Sequence, residues 1–398
     1  MSALGIFVHG VRVGLLERME DWVHRFSFDA AWLEMPGRPI LGQIFEDRRP
    51  HDILTSGLPC WFAHLLPQGP LRRALERQLA DEDADDFDLL RLLGEDLPGA
   101  VVALPAEPSL RPLAWKPTLP GHSGTDAEGA LFFALAGVQW KLSVRDGERG
   151  LVVPARGDTG HFIAKFYDPT FPGLPRVEYS TMEWARLSGV SVPHFRLATT
   201  AEFPRLPEGI PLGNGDVFLI ERFDRAGDGS RVHMEDFGQV LDRPPGDAQY
   251  SGSYEHIGAV LAALAPEDAR GFCERVAFCA VAGNGDAHLK NWTLLYPDGH
   301  SARLSPAYDL VATVVYPRVE DRLALSLASS RSFEDVSERS FEPLARVFGV
   351  DFAAVSGWAR GIAERTREAY HAHAMDWPLS DAEREQLTRH MARVPLGR

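Results

Sequence analysis

Cysteine is scarce in this chain. Its 398 residues include three cysteines, Cys60, Cys273 and Cys279. Their small number and wide separation exclude a disulfide framework and a cysteine-based zinc site. Cys273 and Cys279 lie in an apolar stretch with helical spacing, where buried free thiols are expected.

The chain also lacks a long hydrophobic run and an excess of positive charge. No stretch approaches the length of a membrane span, and residues 1–5 contain no basic segment followed by an apolar one. We therefore expect a cytoplasmic protein. The formal net charge of −15 excludes broad non-specific nucleic-acid binding by this chain alone. It is compatible with a basic partner that makes the DNA contacts.

Length and composition predict a globular protein with more than one compact unit. The chain is longer than one ordinary domain, and its 45% hydrophobic and 24% charged residues are typical of folded proteins. A segment rich in Pro, Gly, Ser and Thr separates an N-terminal region from the rest. The predicted organisation is a mixed β/α domain at 1–104, a linker or loop at 105–130, a mainly β region at 131–225 and a helical region at 226–398.

Local patterns predict individual elements inside these regions. Glycines and alternating apolar residues predict a β-hairpin at 5–14, and helical spacing predicts a helix at 271–281. Ser380, followed by acidic residues, is predicted to cap a helix that begins there. Strands followed by helices are expected along the second half of the chain.

The most informative stretch is residues 283–291, Gly-Asn-Gly-Asp-Ala-His-Leu-Lys-Asn. Asp286 precedes Asn291 by five positions, and Asp309 stands on a separate segment, Tyr308-Asp309-Leu310. Phosphate transfer to a hydroxyl needs one carboxylate to accept the proton, and an amide oxygen and a second carboxylate to hold Mg²⁺. The alternative is an ordinary turn rich in Gly, Asn and Asp, so the motif needs support from the rest of the chain.

Three features upstream give that support. A turn with one glycine at residues 136–141 could bring backbone N–H groups to phosphate oxygens, although a plain hairpin has the same pattern. Lys165 lies on an apolar strand, where a buried ammonium needs an anion such as ATP phosphates. Glu178 or Glu183 on the next helix could orient that lysine. The turn, the lysine and the glutamate follow one another in the order that a kinase requires, which favours a phosphate-transfer site over a chance pattern.

An apolar strand at 217–223 ends in the charged segment Glu221-Arg222-Phe223-Asp224-Arg225. In a kinase, the adenine ring would contact the backbone in this part of the chain. A core strand that runs into an ion-paired loop would give the same sequence, so both interpretations stay open.

With these blocks, the chain resembles the HipA family of protein kinases, the toxins of bacterial toxin–antitoxin pairs. The resemblance extends over nearly the whole length, and its most specific blocks are residues 283–291 and 304–310. It implies an α+β, two-lobed protein-kinase-like fold with an additional N-terminal β/α subdomain and an all-helical C-lobe. ATP and Mg²⁺ are the implied cofactors.

The resemblance also assigns roles to individual residues. Asp286 would be the catalytic base, Asn291 and Asp309 would bind Mg²⁺, and Glu178 would orient Lys165 on the phosphates. The remaining implied nucleotide contacts are Ala136, Gly137, Val138, Gln139, Trp140, Lys141, Glu221, Arg222, Phe223, His288, Lys290 and Tyr308.

One departure from the family concerns regulation. Family toxins often carry an autophosphorylated serine just before the glycine turn, and this modification silences the enzyme. Here the nearby residues are Phe133, Ala134 and Leu135, and Ser143 falls beyond the turn. We hypothesise that this chain cannot use that route of self-inactivation.

The implied function is a serine/threonine kinase toxin that phosphorylates an aminoacyl-tRNA synthetase, of the glutamyl-tRNA synthetase type, and is neutralised by a HipB-like helix-turn-helix antitoxin. A second hypothesis is a kinase-like binding module that acts as corepressor with that DNA-binding partner. A third is a small-molecule phosphotransferase, a class of enzyme that uses the same order of catalytic Asp, Asn and metal-binding Asp.

Overall fold

A computed structural model describes residues 2–20, 22–48, 51–79, 84–106, 139–154, 160–207 and 209–398. Within these ranges, no helix is both long enough and apolar enough to cross a membrane. The described residues divide into two compact units. The first contains residues 1–170, 198–245 and 296–300, and the second contains 171–197, 246–295 and 301–398.

The strands are β1 Ser2–Val8, β2 Val11–Arg18, β3 Val23–Phe28, β4 Asp52–Ser56, β5 Val101–Pro105, β6 Lys141–Gly147, β7 Gly150–Val152, β8 Phe162–Lys165, β9 Phe195–Thr199, β10 Asp216–Glu221, β11 His233–Asp236, β12 Thr293–Tyr296 and β13 Arg303–Leu304. The α-helices are α1 Ala30–Leu33, α2 Gln43–Arg48, α3 Cys60–Ala63, α4 Gly69–Gln78, α5 Asp86–Leu93, α6 Leu174–Ser188, α7 Phe237–Val240, α8 Tyr254–Leu264, α9 Ala269–Ala282, α10 Glu342–Phe348, α11 Phe352–His373 and α12 Asp381–Met391.

The N-terminal sheet has the order β4-β3-β2-β1-β5. The predicted hairpin is confirmed as the β1–β2 pair, in which Val8 lies opposite Val11. His9 and Gly10 form its two-residue turn with φ of 50° and 75°, the left-handed geometry that matches the twist of a tight hairpin. Alternate β1 side chains, including Leu4 and Ile6, are fully buried and form one wall of the core.

A second sheet in the first unit has the order β7-β6-β8-β10-β9. Its antiparallel register places Lys165 of β8 opposite Lys141 of β6 and opposite Phe218 of β10. Residues directly opposite one another in neighbouring strands point to the same face. Buried apolar side chains of this sheet, among them Leu142, Ala164 and Leu219, belong to the same hydrophobic core as those of the N-terminal sheet.

The second unit is built mainly from helices. Helix α9 is buried over most of its surface, and α11 packs against it. Ser380 caps α12 as predicted, since its side chain accepts a hydrogen bond from the Glu383 N–H and Glu383 binds back to the Ser380 N–H. The expectation of an all-helical C-terminal region needs one correction, because β12 and β13 pair there. The apolar run 293–296 is fully buried, which favours a strand.

The compact units divide the chain differently from the predicted domain boundaries. Helix α6 falls inside the predicted region 131–225 but clusters with the second unit, and residues 226–245 cluster with the first. Although α6 lies between strands in the sequence, its buried face packs against another helix. Trp184 of α6 donates a hydrogen bond to the carbonyl of Thr366 in α11.

Candidate active site

The loop with the most informative motif begins where helix α9 ends. Gly283 has a φ of 73° and closes the helix in the left-handed conformation that favours glycine. A Cβ atom at this position would come within 2.4 Å of the Val314 side chain, so space also requires glycine. The Gly285 N–H then donates to Thr313 Oγ1 at 2.8 Å, and the Asp286 N–H donates to Asn284 Oδ1 at 3.0 Å. These bonds fix the backbone that leads into Asp286.

Asp286 and Asn291 are brought together by their own loop. The Asn291 side-chain amide donates to the Asp286 carbonyl at 2.7 Å, and the His288 N–H donates to the same carbonyl at 2.8 Å. A short 3₁₀ turn at Leu289–Asn291 turns the chain back so that the Asn291 side chain reaches the Asp286 carbonyl. The side chain of Asp286 is 48% exposed, so its carboxylate is accessible to a substrate.

Tyr250 is a residue that the sequence reasoning missed. Its hydroxyl donates to Asp286 Oδ1 at 2.9 Å, from a position 36 residues earlier in the chain. Burial, followed by the negative charge of Asp286, raises the pKa of Tyr250 well above its usual range, so the phenol stays protonated and remains a donor. No motif in the sequence marks this tyrosine.

The segment around Asp309 is tied to the same loop through Tyr308. The Tyr308 hydroxyl lies 2.6 Å from Thr293 Oγ1 and donates to the Lys290 carbonyl at 2.8 Å. Asp309 has a φ of 52°, a left-handed conformation that is uncommon outside glycine and occurs more often at functional sites. The structure therefore brings Tyr308 to Lys290, two residues that were predicted to lie near the nucleotide.

Arg275 is a second missed residue. It is buried in helix α9, and its Nη2 donates to the Asn291 carbonyl at 2.6 Å. Its guanidinium carbon lies 4.2 Å from the centre of the Trp292 ring and 5.8 Å from that of Tyr308. Arg275 thus contacts both the Asn291 turn and the segment that leads to Asp309. An arginine in the middle of a largely apolar helix gives no sign of this role in sequence.

The residues expected to hold Mg²⁺ have the right chemistry for it. Because the Asn291 amide nitrogen is bonded to the Asp286 carbonyl, its side-chain oxygen is the atom that remains to bind a cation. Mg²⁺ prefers oxygen ligands and commonly takes one or two from the protein and the rest from phosphates and water. Within the described residues there is no cluster of three or more His, Cys, Asp or Glu that could form an all-protein metal site. Asn291 and Asp309 fit a site that phosphates complete.

The predicted phosphate-binding lysines lie in the first unit. Lys165 and Lys141 are both buried and lie opposite one another, and Lys165 Nζ is 5.7 Å from the centre of the Phe218 ring. The register places both lysine side chains on one face of the sheet, and their binding of phosphate stays a prediction. Gln139 donates to the Phe166 carbonyl at 3.1 Å, and the Trp140 carbonyl accepts from the Phe166 N–H at 3.0 Å. Ala136, Gly137 and Val138 lie outside the described residues.

Arg222, just after the end of β10, has its side chain engaged in an ion network. This residue is fully buried, and its guanidinium nitrogens donate to Asp224, Asp96 and Ser143. Its backbone N–H donates to the His161 carbonyl at 2.8 Å, and its own carbonyl accepts from the Arg225 N–H at 3.2 Å. These groups are engaged inside the protein, and a contact of Arg222 with the nucleotide stays a prediction.

The charges around Arg222 form a compact network with Asp96, Asp224 and Arg225. Burial alone would raise the pKa of Asp224, but the two arginines hold it well below its usual range. Glu221 is exposed at the end of β10, and Phe223, between Arg222 and Asp224 in the chain, is half-buried. Both stay candidates for the adenine site.

Helix α6 carries Glu178 and Glu183, the two glutamates that the sequence offers as partners of Lys165. Glu183 lies near the surface and is engaged by Arg186, with oxygen–nitrogen distances of 2.6 Å and 2.8 Å. Glu178 is 1% exposed. A buried carboxylate needs a cationic or hydrogen-bonding partner, and the assignment of Glu178 to Lys165 stays a prediction.

Comparison with solved structures confirms the predicted fold class, a kinase-like α+β fold. HipA of Shewanella oneidensis, solved with HipB and its operator DNA, matches with a TM-score of 0.71 at 19% sequence identity. The match covers 98% of this chain and 95% of that chain.

Sequence comparison gives the family. Residues 4–104 match the HipA N-terminal domain, and residues 133–374 match the HipA-like C-terminal domain. The Sinorhizobium fredii protein Y4dM, provisionally named a kinase, is 33% identical over 100% of this chain and 98% of its own length. The serine/threonine-protein kinase toxin HipA of Shewanella oneidensis is 24% identical over 69% of this chain and 67% of its own length. This chain belongs to the HipA family of toxin-like kinases.

Proposed function

We propose that this chain is an ATP- and Mg²⁺-dependent serine/threonine protein kinase that arrests growth as a toxin. The observation that carries the proposal is the loop in which Asn291 binds the Asp286 carbonyl while the Asp286 carboxylate stays half-exposed. Such a loop can present a carboxylate to a hydroxyl and an amide oxygen to a cation at a fixed separation.

In the proposed reaction, Asp286 accepts the proton of a serine or threonine hydroxyl. The hydroxyl oxygen forms a bond to the γ-phosphorus of ATP, the bond from that phosphorus to the bridging oxygen breaks, and ADP leaves. Mg²⁺ bound by Asn291 and Asp309 would offset the charge of the phosphates.

The nucleotide contacts in this proposal are those that the sequence predicts. Lys165 and Lys141 would bind phosphate oxygens, with Glu178 orienting Lys165. Phe223 and Glu221 would contact the adenine. The smaller contributions near the phosphates would come from Gln139, Trp140, His288, Lys290 and Tyr308, together with residues 136–138.

We propose an aminoacyl-tRNA synthetase of the glutamyl-tRNA synthetase type as the protein substrate, which would place the enzyme in the cytoplasm. A HipB-like helix-turn-helix protein is the proposed antitoxin. The charge of −15 supports a chain that leaves DNA contacts to a basic partner. The Shewanella oneidensis HipA, solved in complex with HipB and operator DNA, supports a partner of this kind.

Phosphoproteomes of cells that express the wild-type chain or Asp286→Asn would test the substrate. Asp376→Asn is a matched control, because Asp376 is 77% exposed and pairs with His373 at the surface. We expect a tRNA synthetase phosphopeptide with the wild type and the control, and its loss with Asp286→Asn. Growth arrest that persists with Asp286→Asn would contradict a kinase toxin.

A second candidate is a kinase-like corepressor that acts mainly through a DNA-binding partner. The acidic charge of this chain and the Shewanella oneidensis complex of HipA, HipB and operator DNA support this candidate as well as they support the kinase. Transfer of labelled phosphate from Mg-ATP by the purified chain separates the two functions, since the corepressor would bind its partner without transferring phosphate.

A further inference from the structure

Two aromatic side chains converge on one oxygen of Asp286. The Tyr250 hydroxyl donates to Oδ1 at 2.9 Å, and His288 Nε2 lies 3.9 Å from the same oxygen. The Tyr250 and His288 rings pack edge to face, with their centres 4.8 Å apart. The phenol is therefore held against the loop by its ring as well as by its hydroxyl.

The chain around Tyr250 is built to place this side chain. A 3₁₀ helix, Asp247–Tyr250, packs against the 3₁₀ turn Leu289–Asn291 that follows His288. It lies between Gly246, with a φ of 96°, and Gly252, with a φ of 142°. Both backbone conformations favour glycine, so the segment enters and leaves through sharp bends. Gln249, next to Tyr250, is 6% exposed and anchors the segment in the protein.

A half-exposed aspartate needs such support if it is to act as a base. Its carboxylate can rotate about two side-chain bonds, and in water it would populate several orientations. Proton transfer requires the carboxylate oxygen within hydrogen-bond distance of the acceptor hydroxyl, and a misplacement of about 1 Å can reduce a rate by about 100-fold. A hydrogen bond to a charged carboxylate is among the stronger ones in proteins.

We propose that Tyr250 is a positioning residue that fixes the Asp286 carboxylate for phosphate transfer through its hydrogen bond to Oδ1. This role rests on the proposed kinase function. The phenol stays protonated and donates a hydrogen bond to Asp286, so in this role it acts through Asp286. His288 supports the ring of Tyr250, and Asp286 makes the contact with the substrate hydroxyl.

Tyr250→Phe tests the proposal, because it keeps the ring against His288 and removes only the hydroxyl. Tyr370→Phe is the matched control: the Tyr370 hydroxyl donates to the Arg384 carbonyl at 2.7 Å, inside the C-terminal helices. The assay is transfer of labelled phosphate from Mg-ATP to a degenerate mixture of serine-containing peptides. We expect Tyr250→Phe to lower kcat about 10-fold with KM for ATP within about 2-fold of wild type. Tyr370→Phe should keep the wild-type kcat, and both variants should have similar melting temperatures.

The same substitution in an Asp286→Ala background separates positioning from an independent role. If Tyr250 acts through Asp286, Tyr250→Phe should cause no further loss there. An equal loss in both backgrounds, or a wild-type kcat for Tyr250→Phe alone, would overturn the positioning role. A wild-type chain that transfers no phosphate would overturn the kinase function together with it, whereas an active wild type with a fully active Tyr250→Phe would overturn only the role of Tyr250.

Discussion

The side-chain amide of Asn291 donates a 2.7 Å hydrogen bond to the main-chain carbonyl of Asp286, five residues earlier. One bond thereby links the proposed proton acceptor with a proposed metal ligand. It also determines which end of the Asn291 amide points away from the loop. Through this bond, the five-residue spacing of Asp286 and Asn291 becomes a fixed separation in space.

Replacing Asp286 should remove activity and leave the fold intact. The Asp286→Asn side chain has the same size and can still accept from Tyr250, but it is a far weaker base. We expect phosphate transfer to fall about 10²–10⁴-fold. Because the side chain is 48% exposed, the melting temperature should match that of the wild type. An Asp376→Asn control should keep full activity in the same labelled-phosphate assay.

Replacing Asn291 should change the requirement for Mg²⁺. Asn291→Ala loses the side-chain oxygen and the bond to the Asp286 carbonyl, so the Mg²⁺ concentration for half-maximal rate should rise by about 10-fold or more. Titrating MgCl₂ at saturating ATP measures this. Asn214→Ala removes an exposed amide that is bonded to Asp216, and its titration should overlay that of the wild type. An unchanged Mg²⁺ requirement in Asn291→Ala would exclude Asn291 as a ligand.

The chain should keep its activity during prolonged incubation with ATP. Residues 133–141 contain no hydroxyl side chain, and Ser143, which follows them, is fully buried in β6 and accepts from Arg222 at 3.1 Å. Intact-mass analysis and peptide mapping after incubation with Mg-ATP should find no phosphate on residues 133–143. A phosphorylated Ser143 would show that β6 opens and would contradict the hypothesis.

Local sequence patterns were enough to predict the features that depend on neighbouring residues. Contacts between residues distant in the chain depend on three-dimensional packing and could not be predicted. The β1–β2 hairpin and the Ser380 cap follow from neighbouring residues, so the sequence was enough to find them. The Asp286 to Asn291 contact also lies within one short loop. Tyr250 and Arg275 were missed because their roles depend on contacts with residues distant in the chain, for which a single sequence gives no periodic signal.

The sequence around Arg222 allowed two interpretations. The position of Arg222 just after an apolar strand matched the family pattern for the adenine site, and the ion-paired alternative was the better one for its side chain. An adenine site and an ion-paired loop have the same pattern in the sequence, because a strand that ends in charged residues does not reveal where the counter-ions lie. Asp96, 126 residues earlier, supplies one of them.

The buried network at Arg222 should therefore matter for stability. Asp224 accepts from Arg222, from Arg225 and from the Gly99 N–H. Asp224→Asn would leave two buried arginines short of negative charge, and removing one partner from a buried ion network costs about 3–5 kcal/mol. Urea unfolding should show this as a lower midpoint.

Asp228→Asn is the matched control for that experiment. Asp228 lies on the exposed loop just after the network and binds the backbone N–H and the side chain of the nearby Ser230. Its unfolding midpoint should stay at the wild-type value. Equal midpoints for Asp224→Asn and the wild type would mean that the network contributes little to the stability of the first unit.

Glu235 should make stability depend on pH. This carboxylate is fully buried and accepts from the Gln43 N–H at 2.9 Å, from Trp61 Nε1 at 3.1 Å and from the Tyr296 hydroxyl. No cationic side chain is paired with it among the described contacts. Burial raises its pKa from 4.5 to about 7.

The direction of the effect follows from the two pKa values. Below pH 4.5 the carboxyl is protonated in both the folded and the unfolded chain, so its contribution to stability is fully present. As the pH rises from 4.5 to about 7, the unfolded chain ionises first and stability is lost, by on the order of 3 kcal/mol in total. His233 acts in the opposite direction, because burial lowers its pKa to about 4, so stability falls as acid protonates the unfolded chain.

Comparing the wild type with Glu235→Gln isolates the glutamate, since His233 and all other groups are common to both. The variant cannot ionise at this position, although its amide nitrogen would meet the Trp61 donor, so it should be no more stable than the wild type at pH 5. Between pH 5 and pH 8 it should gain relative to the wild type by on the order of 3 kcal/mol. Urea unfolding at several pH values measures the difference. Parallel stability curves across this range would mean that Glu235 ionises at its ordinary pKa in the folded chain.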